Sequence, residues 1–396
     1  MPHRTLRVLH SFGESSDGAN PFASLTRDSQ GNLYGTTEYG GASGAGTVFK
    51  LDTAGNETIL VSFNGSNGAY PLSNLVQDSS GNLYGTTFSG GDLNCGGGGG
   101  CGEVFKVDPS GNETVLYAFT GTGGDGANPA LGLAQDSAGN LYGATQDGGN
   151  ATSCNSKFLR FGCGTVFKID PSGTETVLYS FTGSDGDGAA PFGGVIVDGS
   201  GNIFGTTWQG GSYKRELCKD NNKGGCGTVF ELDSTGHETV LHDFSGSIRD
   251  GSGPQTQLVT DVKGDIYGVT LWGGKRHCKL FLPGCGTVFN VDANGAYTVL
   301  YRFRGRIDGN APQGPLTLDQ EGNLYGAAGS GGKYGQGGIF ELTTAGQLSS
   351  IFFFTGDKAE PKNPNGGLIL DAEGNIYGTT LHGGDYHGGA IFEIKH

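Results

Sequence analysis

Apolar residues along this chain come in short alternating runs, and nowhere do they sustain the 3.6-residue spacing of an amphipathic helix. The stretch from Asn74 to Phe119 shows the pattern well. Four runs, 74–77, 82–87, 103–107 and 113–119, are rich in β-branched and aromatic residues. Turn clusters separate the first pair (Asp78-Ser79-Ser80-Gly81) and the last pair (Asp108-Pro109-Ser110-Gly111). Gly and Asn there supply positive φ for tight hairpins. The pattern predicts four antiparallel strands, A to D, with hairpins at A–B and C–D and almost no helix.

The unit repeats. Gly31-Asn32-Leu33-Tyr34-Gly35-Thr36-Thr37 returns in variant form at residues 81, 139, 201, 264, 322 and 374, at spacings of 50 to 63 residues. Periods of that size, with four short strands in each, predict an all-β, seven-bladed β-propeller of four-stranded antiparallel blades. An open solenoid would need distinct capping repeats, and the sequence has none. Instead the ends complement each other. The last unit has A, B and C phrases but no D, while 5–12 (TLRVLHSF) matches the D phrase of 176–181 (TVLYSF). The N-terminal strand is therefore expected to complete blade seven and remove an open edge. The whole chain reads as one domain, with blades at about 20–63, 71–119, 129–181, 191–244, 254–303, 312–354, and 361–396 plus 5–12.

The GNLYGTT and GTVFKLD phrases resemble the tandem-repeat family named after Gloeobacter and Verrucomicrobia (GloVer), over essentially the whole length. The resemblance implies an exported bacterial protein held by a C-terminal anchor, and it brings no catalytic residues with it. This chain ends at His396 with no anchor phrase, and Met1–Phe12 reads as a strand with no apolar leader region. Both leader and anchor are expected to lie outside it.

Composition narrows the function classes. Glycine, at 79 of 396 residues, has no Gly-X-Y period and marks turns. A formal charge of −15 argues against a nucleic-acid partner. No apolar stretch is long enough to span a membrane, and a monomer is expected. Eight cysteines fall as four local pairs: Cys95/Cys101, Cys154/Cys163, Cys218/Cys226 and Cys278/Cys285. Each pair lies in one B–C connection, so four short-loop disulfides and an oxidising, extracellular, cell-surface or periplasmic setting are expected. C-x-x-C knuckles with further ligands, the usual zinc signature, are missing.

Strand order puts the tight hairpins on one face and the B–C and D–A loops, cysteines included, on the other. After each YGTT phrase, two variable positions precede Gly-Gly. They include Glu38-Tyr39, Gln146-Asp147, Trp208-Gln209, Leu271-Trp272 and Leu381-His382, and they hold both tryptophans. Their variation inside a regular frame suggests positions released from the fold. The B–C loops of blades three to five carry nine of the 24 Lys and Arg residues, Lys275 and Arg276 among them. Such a cluster on an acidic protein can focus an anionic ligand.

The expected function is ligand recognition on this face, with carbohydrate, neutral or anionic, or another extracellular ligand as the partner. The expected ligand-binding residues are Glu38, Tyr39, Gln146, Asp147, Trp208, Gln209, Trp272, Lys275, Arg276, His382 and Asp385. An alternative is a polysaccharide lyase or glycoside hydrolase on an acidic polysaccharide, with His277, Arg276, His382, Tyr386 and His387 as candidate acid–base groups. A protein-interaction scaffold is a third reading. No cofactor is expected. Seven D–A loops carry Asp or Asn four residues before Pro, from Asp17/Pro21 to Asp357/Pro361. Calcium is a candidate there, although a turn role explains seven copies more simply.

Overall fold

The computed structural model describes residues 4–13, 17–129, 131–151, 154, 161–212, 218, 225–274, 278, 284–357 and 360–396. Seven antiparallel sheets stand around an axis, and the described residues include no α-helix. In blade one, strand A is Thr26–Arg27, B is Leu33–Thr37, C is Thr47–Leu51 and D is Glu57–Ser62. Blade seven takes Ile369–Leu370, Ile376–His382 and Ala390–Lys395 as A to C, and Thr5–Ser11 as D. Thr5 pairs with Lys395 and Ser11 with Ala390, so the N-terminal strand closes the ring.

The repeated phrase has a physical reason at each letter. Asp28 closes the A–B hairpin by accepting bonds from the amides of Gln30 and Asn32, from Asn32 Nδ2 and from the Tyr34 hydroxyl. Burial pushes this carboxyl up, but those bonds outweigh it and leave it below its usual range. Asp78, Asp136 and Asp371 repeat the arrangement. Much of the chain's acidity is thus turn scaffolding. The glycine of the phrase lies beneath the strand C phenylalanine: a Cβ on Gly35 would meet Phe49 Cζ at 2.6 Å. The last threonine bonds across to strand C, Thr37 Oγ1 to Thr47 Oγ1 at 2.8 Å.

Adjacent blades are joined by paired phenylalanines. The D phenylalanine of each blade meets the C phenylalanine of the next: Phe12 with Phe49, Phe63 with Phe105, Phe119 with Phe167, and so on to Phe354 with Phe392. Centroid distances run from 5.0 to 5.4 Å. All fourteen rings are buried. One such aromatic pair adds about 0.5–1.5 kcal/mol beyond its area.

A second staple lies on the loop face. The residue before the entry proline adopts left-handed φ in every blade: Asn20, Tyr70, Asn128, Ala190, Gly253, Ala311 and Asn363, between 50° and 62°. Its amide bonds to the preceding blade, as in Ala190 N to Cys163 O at 2.8 Å. This frame corrects one register. In the last D–A loop, Glu360 and Pro364, not Asp357 and Pro361, hold the equivalent places. Glu360 accepts the bonds of Thr355, as Asp125 accepts those of Thr120, and Pro364 packs on Gly337 as Pro129 does on Gly102. The acid-to-proline spacing is four in either pairing, and both partners lie three residues later than the sequence pairing placed them.

All four expected disulfides are present, Cys95–Cys101, Cys154–Cys163, Cys218–Cys226 and Cys278–Cys285, with Cα–Cα distances of 5.0 to 5.5 Å. They brace the B–C loops of blades two to five. The second cysteine of each pair, Cys101, Cys163, Cys226 and Cys285, is buried in the core and offers nothing to a ligand. The reason is its place two residues before strand C. There it packs in the same cluster as the D phenylalanine of its own blade, Phe119, Phe181, Phe244 or Phe303. Its carbonyl also accepts the left-handed residue of the next blade, as in Asn128 N to Cys101 O, Gly253 N to Cys226 O and Ala311 N to Cys285 O, at 2.7, 2.9 and 3.0 Å. Each disulfide thus fastens a loop to the blade core. No helix among the described residues is long and apolar enough to cross a membrane.

Candidate functional site

The loop face is built on strand B. After the last threonine, strand B bends and continues as a second, shorter ladder with the D–A segment. Tyr39 pairs with Ala19, Asp147 with Ala127, Gln209 with Ala189, Trp272 with Ser252 and His382 with Lys362. The position before each is bonded too, as in Trp208 N to Ala190 O at 3.0 Å and Glu38 N to Asn20 O at 3.1 Å. The variable positions are therefore fixed in backbone and free only in side chain. Asp147 is buried, against the expectation of a ligand-facing carboxylate, whereas Tyr39 and His382 are exposed.

The two tryptophans come together. Trp208 in blade four and Trp272 in blade five lie 6.4 Å apart, tilted by 40°, and both are partly exposed. They lie over Gly253, where a Cβ would meet Trp272 Cε3 at 2.9 Å and Trp208 Nε1 at 3.2 Å. Two residues on, Gln255 lines the mouth of the axis. Phe22, Leu72, Leu131, Leu271, Gln313 and Asn365 share that lining, around a cavity of about 40 Å³. Deeper in, Asn74 and Gln257 bond to each other across the axis, Nδ2 to Oε1 at 3.4 Å. Gln257 also donates to Val195 O at 2.8 Å. The axis is thus plugged by amides, and its mouth is apolar with neutral polar groups. Asn365 Oδ1 is buried there without a partner. A second ring pair, Tyr39 with Tyr70 at 5.6 Å, stands at the blade one–two seam.

Lys275, Arg276 and His277 lie outside the described residues, as do the other basic positions of the blade three to five loops. Glu38, Gln146 and Gln209 are partly exposed in blades one, three and four, and Gln209 directly follows Trp208. His387 is exposed in the blade seven turn.

Asp385 and Tyr386 are drawn elsewhere, into an open cleft of about 620 Å³ at the closure seam that also holds His10, Asp17 and Glu57. His10 Nε2 lies 3.3 Å from Asp17 Oδ2, and Asp17 Oδ1 accepts the Gly18 amide at 2.6 Å. Burial, and then the neighbouring Asp17 charge, pushes the Glu57 carboxyl up to about 7. Sequence reading passed over His10 and Glu57, because each fills an ordinary strand D position. The one available signal was that His replaces the Tyr of equivalent positions 117 and 179.

Fold and repeat together define a disulfide-braced β-propeller made of tandem four-stranded units. The chain belongs to the Gloeobacter/Verrucomicrobia repeat family, whose model matches residues 1–218 and 152–392. No curated protein matches it. Among solved structures it is similar to the extracellular domain of a hybrid two-component system from B. thetaiotaomicron. Identity there is 12%, with 98% of this chain and 40% of that one covered, at a TM-score of 0.58. This chain thus spans less than half the length of that protein's structure. A gluconolactonase from Xanthomonas campestris is a more distant likeness, 11% identical at a TM-score of 0.45, covering 99% of this chain and 89% of that one. At these identities the likeness concerns the fold alone.

Proposed function

We propose that the chain is an exported ligand-recognition propeller that binds carbohydrate on its loop face. The observation that carries this reading is the Trp208–Trp272 pair beside the axial mouth. Aromatic rings match the apolar faces of sugars, and the neutral amides of Gln255 and Gln313 suit hydroxyl groups. The basic composition of the neighbouring loops favours glycans that also carry carboxylates, which guanidinium groups grip bidentately. Four disulfides suit an oxidising compartment, and a cell-surface or periplasmic setting agrees with them.

The test is a panel of neutral and uronic-acid polysaccharides, read by tryptophan fluorescence and by absorbance of unsaturated products. Binding without product is expected. Trp272→Ala should weaken it about tenfold or more, the loss of roughly 1.5 kcal/mol or more of contact. Unsaturated product would move the chain to the lyases. A panel without any binder, or equal binding by Trp208→Ala and Trp272→Ala, would remove the reading.

A further inference from the structure

The seven blade junctions form an internal comparison. Each can contribute three side chains to one spot: the residue two before the strand D phenylalanine, the acid or amide of the D–A loop, and the residue that opens the next blade's strand D. At the blade two–three and three–four junctions these are Tyr117, Asp125 and Glu175, and Tyr179, Asp187 and Glu238. At the four–five junction His242 and Asp250 meet Tyr297, whose hydroxyl donates to Asp250 at 2.9 Å and whose ring stacks on His242 at 3.4 Å. At the five–six junction Tyr301 and Arg304 both donate to Asp308.

Of these, the closure junction alone sets an imidazole beside two carboxylates. Ligand atoms of His10, Asp17 and Glu57 all lie within 4.8 Å of one another, and no other such group occurs among the described residues. The Asp17 side chain is only 9% exposed. Glu57 Oε1 is shut off from solvent with no hydrogen-bond partner. The three side chains come from separate stretches held by the sheet, and they open onto the cleft that Asp385 and Tyr386 also line.

We infer that His10, Asp17 and Glu57 form a site for a divalent transition-metal cation such as Zn²⁺ at the closure seam. One nitrogen and two carboxylate donors, with an open side for water, match what such ions take. Calcium would ask for six to eight oxygens. The ion would occupy the space between the three donors and neutralise two facing carboxylates. It would also tie the closing strand, through His10, to the outer strand of blade one, through Glu57. Binding of this kind stabilises the folded ring by mass action.

The experiment uses the full chain, stripped with chelator and then titrated with Zn²⁺ by calorimetry, with melting followed in parallel. One equivalent should bind, and the melting temperature should rise by about 3 °C or more. His10→Tyr puts at this seam the residue that the two–three and three–four junctions already accommodate, so the variant should fold. It should bind at least tenfold more weakly, and Glu57→Gln likewise. Glu175→Gln, at a junction without histidine, should bind as the wild type does. No zinc binding by the wild type, or undiminished binding by both folded seam variants, overturns the site.

Discussion

Single residues show where the repeat is strained. Ala190 and Ala311 sit at φ of 54° and 50°, where a side chain without a local hydrogen bond is disfavoured. Asn128 and Asn363, at equivalent places, use their amides to reach Phe88 O and Gly329 O at 2.8 and 3.0 Å. Ala190→Asn should gain the same kind of bond and raise stability by about 1 kcal/mol, measured by chemical denaturation. Glu103 is a second departure. It stands where blades one, three, four and five pair two threonines, is fully buried, and has neither oxygen bonded. Burial, and then the Glu113 charge, pushes it up to about 8. Alanine at 118, where blades one and three have serine, gives it room. Such one-off exchanges read in sequence as drift, because only packing shows that they compensate. The glycine of each YGTT phrase was legible as a fixed position, but the ring above it that forbids a Cβ was not. The pairing of Cys101, Cys226 and Cys285 with their neighbours was legible in the same way, and their burial was not.

At the scale of strands, closure is the feature with the largest expected effect. Phe12 follows the closing strand and is wholly buried against Phe49, Leu25 and Ile391. Phe12→Ala should cost about 3–5 kcal/mol, because the cavity cannot refill from a rigid seam. Deleting residues 1–12 should expose the edge of Ala390–Lys395 and give aggregation, visible by light scattering. A truncated chain that stays monomeric with unchanged melting would contradict the pairing. Strand order, hairpins, closure and cysteine pairing were all legible, because each repeats or complements itself along the chain. The seam cleft was not, since it gathers His10, Glu57 and Asp385 from parts of the chain that no local pattern connects.

For the whole molecule, the blade seams set the response to pH. Burial comes first in raising Glu57, Glu175 and Glu238 to about 7, with the loop acids Asp17, Asp125 and Asp187 adding to it. Glu103 follows at about 8. Each folded value exceeds the ordinary carboxylate value, so between about pH 4.5 and 8 the native state holds more protons than the unfolded chain. Stability should therefore fall as pH rises through that window, most steeply in its middle, where the unfolded carboxyls are already ionised and the folded ones still hold their protons. Melting in chelator at pH 5 and pH 8 checks this, and Glu175→Gln with Glu238→Gln should flatten the difference. A melting temperature that climbs from pH 5 to pH 8 would contradict it.

The pairing of Thr5 with Lys395 also carries a consequence for biosynthesis. The first strand of the ring to be made must wait for the last: 390 residues (395 − 5) separate the partners. At about 5–20 residues per second that interval is roughly 20–80 s of translation. Through all of it the ribosome holds an arc with a free edge at each end, and the nascent chain must be shielded from neighbours on the same message. The ring forms only once Ala390–Lys395 has cleared the ribosome, so a cell that moves this protein across a membrane has that whole interval in which the ring is still open.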